Sequence, residues 1–159
     1  MIHLPGTFTI AAVGKLRTPH WEAAQEEYAQ RIRRYTELEI VEVRNYVGSS
    51  MSDHVALMRE ADALEQAVAG VHWTIALDAQ GKAASSDRLA HYLHKQVGVY
   101  RDIAFLIGGP VGLDPELVQH CDERLSLSPL TFPHELARVI LLEQLYRAMT
   151  ILSGEQYHK

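Results

Sequence analysis

Two rhythms alternate along the chain. Phe8 to Val13 is a short apolar run that stops at Gly14, and Thr18-Pro19 behind it offers an N-cap with proline in the first helical turn. From about Pro19 to Tyr35, Trp21, Ala24, Tyr28, Ile32 and Tyr35 recur at spacings of three and four, the period of a helix with one apolar face. Leu38 to Val43 alternates in twos, which predicts a strand with at least one buried face. Gly48, Ser49 and Ser50 make Tyr46 to Met51 a loop, and Ser52 caps a helix running to about Ala69. Trp73 to Leu77 is the third strand, Ala79 to Lys82 a turn, and about Ser86 to Val97 a second serine-capped helix. Ile103 to Ile107 and Arg124 to Leu127 follow as strands, and about His134 to Leu152 as the most apolar helix. Such alternation predicts an α/β fold, with a mostly parallel sheet and helices on both faces. No repeat or linker divides residues 1–159, so one domain is expected.

Composition narrows the function classes. With 159 residues and 47% hydrophobic content, one core is enough to stabilise the chain without disulfides or metal. No apolar run approaches the roughly 20 residues of a membrane span. Cys121 is the only cysteine and the first residues lack a signal-peptide pattern, so a cytoplasmic protein is expected, with Cys121 a small hydrophobe. The net charge of −5 argues against a protein that coats nucleic acid indiscriminately, although a local basic patch can still hold RNA. Lys15, Arg17, Arg31, Arg33, Arg34, Arg138 and Lys159 are the cations available for one, and a solvated helix face explains Arg31 to Arg34 equally well.

Two stretches stand out chemically. Ile107-Gly108-Gly109-Pro110-Val111-Gly112-Leu113 lies between a buried strand and a helix opened by Asp114-Pro115, where open parallel sheets bind ligands. A binding loop and a tight turn without a ligand explain it equally well. Leu125 to His134 contains Pro129 and Pro133, with leucines, Thr131 and Phe132 suited either to a pocket for a neutral heterocycle or to a stiff connection packed on the core. The glycines do not fit a dinucleotide fingerprint, no Gly-Lys-Ser/Thr follows them, and no G-x-S-x-G elbow occurs. His134-Glu135 starts like a zinc-protease helix, but Arg138 stands where the second ligand belongs, so no metal is expected.

These stretches, with Ala11-Ala12-Val13-Gly14-Lys15-Leu16, Leu77 to Lys82, Arg138-Val139, Glu143-Gln144-Leu145-Tyr146-Arg147-Ala148 and Tyr157-His158-Lys159, resemble in order and spacing the ribosomal-RNA large-subunit methyltransferase H family of the SPOUT class. The resemblance covers nearly the whole chain, with residues 1–7 a short extension. It implies a SPOUT-type sheet with a carboxyl-terminal trefoil knot, a homodimer, and S-adenosylmethionine as cofactor. The implied substrate is N3 of a pseudouridine in 23S ribosomal RNA, within assembled ribosomes. Leu77, Gly108, Leu127, Ser128, Pro129, Leu130, Thr131 and Phe132 would surround the cofactor.

Pseudouridine N3 must lose its proton before it can attack a methyl group, so a general base or water is required. Imidazole suits that task, and His134 and His158 are both candidates. Arg138 is expected to contact RNA phosphate or the uracil edge, and Tyr157 to stack on or hydrogen-bond to the base. The structural alternatives are a helix-capping His134, an ion-paired Arg138 at an interface, and a frayed tail. Leu136, Val139, Ile140, Leu142, Leu145, Tyr146, Met149 and Leu152 give the last helix more apolar surface than one sheet face is expected to cover, which favours a dimer. A non-catalytic RNA-binding module and a knotted transfer-RNA methyltransferase are the competing functional readings.

Overall fold

The computed structural model describes residues 1–158, with side chains through Tyr157. Five strands, β1 (Thr7–Val13), β2 (Glu37–Val43), β3 (Trp73–Ala83), β4 (Ile103–Ile107) and β5 (Glu123–Ser126), form one sheet in the order β2-β1-β4-β3-β5, and every pairing is parallel. The crossovers carry α1 (Pro19–Ile32), α2 (Asp53–Ala67), α3 (Ser86–Tyr100) and α4 (Pro115–His120), and α5 (His134–Leu152) follows β5. Phe8, Ile10, Ala12, Ile103 and Phe105 turn to the face covered by α1, α3 and α5, with α5 packed against both of the others. Ala11, Val13, Ala104 and Leu106 turn the opposite way, against Leu64 of α2 and Leu117 of α4. Period-2 alternation therefore serves two cores, and the α/β architecture with helices on both faces is as expected.

Some boundaries differ from the sequence reading, each for a local reason. α1 stops at Ile32, because the amides of Tyr35 and Thr36 both turn back onto the Ile32 carbonyl. This turn buries the Tyr35 ring and lets its hydroxyl donate to Glu155. α3 begins at Ser86 as expected, capped by Ser85 Oγ accepting the Arg88 amide, but runs past Val97 to Tyr100. The turn at Ala79 to Lys82 lies inside β3: Leu125 pairs with both Leu77 and Lys82, so Asp78 to Gly81 bulge out of the ladder. Gly81 is needed there, since a Cβ would sit 2.9 Å from the Arg124 backbone. The first residues are part of the fold, with Leu4 in the core and its amide on the Tyr35 carbonyl.

Helix α5 corrects the surface argument for a dimer. Leu142, Leu145 and Met149 are completely buried within the chain and Val139 nearly so, while Leu136, Ile140, Tyr146 and Leu152 are half-buried. A third helix between α1 and α3 accounts for the buried group without a second copy.

Candidate active site

The carboxyl ends of β3, β4 and β5 open into one cavity of about 700 Å³, counted out to its mouth. The bulge of β3 contributes Leu77, Asp78 and Ala79, and the loop after β4 contributes Gly108 to Pro110 with Gly112. The run after β5 contributes Leu127, Ser128, Leu130, Thr131 and Phe132, and the first turn of α5 adds His134 and Ala137. Two sequence stretches that stood apart thus form opposite walls. Of the eight cofactor candidates, Pro129 alone is absent from the lining; it is exposed in a turn closed by the Leu130 amide on Ser128 Oγ.

The glycine loop is a tight turn and a cavity wall at once. Gly112 donates its amide to the Gly109 carbonyl at 3.0 Å and has φ +83°, a region where side chains are strained. Gly108 packs so closely that a Cβ would lie 2.6 Å from the Gly112 carbonyl oxygen and 2.7 Å from the Leu113 amide nitrogen. The rest of the lining is mostly apolar, with the hydroxyls of Ser128 and Thr131 and a carboxylate at Asp78. Such walls suit a heterocycle, with a few polar atoms to orient it and one acid to meet a cation.

His134 is half-buried at the cavity, placed there as the first residue of α5. Arg138, one turn on, faces elsewhere. It is 1% exposed, with its guanidinium 2.5 Å from Glu42 and 2.8 Å from the Gly14 carbonyl. The direct phosphate contact expected of Arg138 is therefore not available in this chain, because its charge is enclosed and already paired. Glu42 also accepts the Leu16 amide, and Glu135 accepts the Arg17 amide at 2.8 Å, so α5 and β2 together hold the Gly14–Arg17 loop. That bond, then one from the Thr18 hydroxyl, keeps the Glu135 carboxyl below the ordinary carboxylate range.

Tyr157 lies far from the cavity of its own chain. Its hydroxyl is 3.1 Å from Glu143, its ring packs edge-on to Tyr146 at 4.6 Å, and the Arg147 guanidinium covers it at 4.9 Å. Glu143 is about 14 Å along the α5 axis from His134 and on the opposite side of the helix. Burial and the hydrogen bonds with Tyr28 and Glu143 push the Tyr157 phenol well above its usual range. The His158 side chain and Lys159 lie outside the described residues.

The sequence reading passed over Glu42, Glu135 and Asp78. A signal for the Arg138 burial was present: Leu141, Leu142 and Leu145, three, four and seven residues on, are all on the buried face.

A parallel sheet with a glycine loop and a proline-stiffened run facing each other across an apolar cavity at its carboxyl edge is the arrangement of a SPOUT methyltransferase. Residues 7–158 match the family described as "Predicted SPOUT methyltransferase", and the chain belongs to that family, whose methyl donor is S-adenosylmethionine. Curated relatives named "Ribosomal RNA large subunit methyltransferase H" are similar over nearly their whole length. The protein from Rubrobacter xylanophilus is 43% identical over 154 residues (94% of this chain, 96% of the relative), and that from Alkaliphilus oremlandii 38% identical over 157 (95% and 98%). Among solved structures, a probable methyltransferase from Bordetella pertussis shares the fold at a TM-score of 0.56 and 15% identity, covering 92% of this chain and 97% of that one.

Proposed function

We propose that this protein methylates N3 of a pseudouridine in 23S ribosomal RNA on assembled ribosomes, acting in the cytoplasm as a homodimer with a carboxyl-terminal trefoil knot. The observation that carries the reading is the cavity, in which seven of the eight cofactor candidates converge beside an imidazole. When bound, S-adenosylmethionine supplies a methyl group made electrophilic by the sulfonium charge. The lining fits that cofactor: Leu77, Leu127, Leu130 and Phe132 offer apolar walls to adenine, and Asp78 is an acid for the amino group of the methionine chain. Gly108 keeps the wall open by having no side chain, and Pro129 stiffens the run behind it.

His134, which lines the cavity, is our candidate to accept the proton of pseudouridine N3, and His158 is the second candidate for that step. Tyr157 is docked on the far side of α5, so a role for it at the reacting base requires the cavity of a second subunit. This geometry, rather than apolar surplus on α5, supports the dimer. Arg138 acts through the Gly14–Arg17 loop as a positioning residue.

Labelled S-adenosylmethionine offered in parallel to ribosomes, free 23S RNA and transfer RNA, followed by nucleoside mass spectrometry, tests the reading. Methyl transfer to pseudouridine in ribosomes is expected. Label in transfer RNA would favour the competing knotted enzyme, and well-folded protein that binds no cofactor would favour a non-catalytic module.

A further inference from the structure

Beside the cavity, the same sheet edge carries a second hollow. Loops leaving β1 and β2 enclose an open groove of about 990 Å³ lined by Gly14, Lys15, Arg17, Arg44, Asn45 and Ser49, among others. Lys15, Arg17 and Arg44 are exposed, and among the described residues none has a carboxylate within ion-pair distance. The nearby acids are engaged: Glu42 by Arg138 and the Leu16 amide, Glu135 by the Arg17 amide, and buried Glu60 by the Tyr46 and Val47 amides. A chain of net charge −5 thus presents a local excess of cations. Arg44 lies over the Tyr46 ring, with its carbon 4.9 Å from the centroid, and Arg59 approaches the same ring at 5.8 Å.

The groove adjoins the cavity. Gly109, on the cavity wall, has its would-be Cβ 3.1 Å from Val13 Cγ1 and 3.8 Å from Asn45 Oδ1, so the two hollows share a wall. All strands run parallel, so both open on one edge, separated by two or three strand spacings, roughly 12 Å. We propose that this groove seats the phosphodiester backbone of the RNA next to the nucleotide held at the cavity, with Lys15, Arg17 and Arg44 as its phosphate contacts. The inference rests on the RNA methyltransferase reading and adds to it the place where RNA binds. The Glu42–Arg138 pair and Glu135 hold the loop that carries two of the three cations.

The test is a Lys15→Ala/Arg17→Ala/Arg44→Ala variant compared with wild type and with an Arg88→Ala/Lys95→Ala control on α3. Cofactor affinity is read by calorimetry, and binding to purified ribosomes is followed across a salt series. Three lost phosphate contacts should flatten the slope of log affinity against log salt by about 2, at about 0.7 per contact on a single strand. Cofactor affinity should stay within about twofold and the control should match wild type. A triple variant with the wild-type slope and affinity overturns the groove, even if methyl transfer is intact; wild-type protein that binds no ribosomes overturns it as well. If the triple variant loses the slope while wild type methylates no pseudouridine, the groove stands and the reaction assignment falls.

Discussion

Arg138 shows how one side chain can matter for a site it does not enter. Its guanidinium is enclosed between Glu42 and the Gly14 carbonyl. Arg138→Met removes the charge-assisted hydrogen bonds to Glu42 and the Gly14 carbonyl and leaves Glu42 unmatched, a change that costs about 1.5–3 kcal/mol. Since Glu42 keeps some contact with water, the lower end of that range is expected, read as a fall in the urea midpoint with an unchanged slope. Glu135 offers a gentler probe. Its depressed pKa means that the tether to Arg17 is intact above the ordinary carboxylate value of about 4 and is lost as pH falls through the lower, folded-state value. The Arg17 amide resonance should follow that titration in wild type and not in Glu135→Gln. At Gly108, an alanine side chain would press on the Gly112 carbonyl, so Gly108→Ala should weaken cofactor binding by calorimetry more than tenfold while the fold persists.

At the level of elements, apolar patterning together with cap residues located all five strands and five α-helices. Most bury one face or two, and α1 to α4 open at Thr18-Pro19, Ser52, Ser85 and Asp114-Pro115. Where the reading missed, a contact distant in sequence decided: β3 extends to Ala83 because β5 supplies a second partner beyond the bulge, and α1 ends early because Tyr35 is drawn under the tail. The cavity walls were legible as two unusual strings of residues, but their meeting depends on how β4 and β5 flank β3. The burial of Arg138 was readable from helical spacing, yet its partner Glu42 lies on another strand. The short helix Gln156–His158 leans on α5 through Tyr157. Removing residues 157–159 should leave folding and cofactor binding nearly intact while methyl transfer falls strongly, because no core residue is lost. Wild-type turnover by the truncated protein would withdraw both tail assignments. Leu145→Ala, by contrast, empties a fully buried position and should cost about 2–5 kcal/mol.

For the whole molecule, three raised phenols, Tyr35, Tyr92 and the Tyr157 already described, make stability sensitive to alkali. Burial, then the bond to Glu155, pushes Tyr35 up to about 12, and burial does the same for Tyr92, partly offset by the Trp73 indole that donates to it. The folded state keeps these groups neutral, whereas in the unfolded chain they ionise near 10. Their contribution is therefore complete below pH 10 and is lost as pH rises towards 12, which melting temperatures across that window should show. Tyr35→Phe should reduce the loss.

The position of β1 has a kinetic consequence. Phe8 lies opposite Ile103, so the middle of the sheet joins segments from the two ends of a long intervening chain. Pairings of that kind form slowly. The cavity needs β3, β4, β5 and the start of α5 all in place before its walls meet. A site built from that many elements is expected to be incomplete in the transition state for folding, leaving a ligand little to grip. S-adenosylmethionine should therefore leave the refolding rate unchanged and slow unfolding alone, lengthening the lifetime of the finished protein without helping it to form.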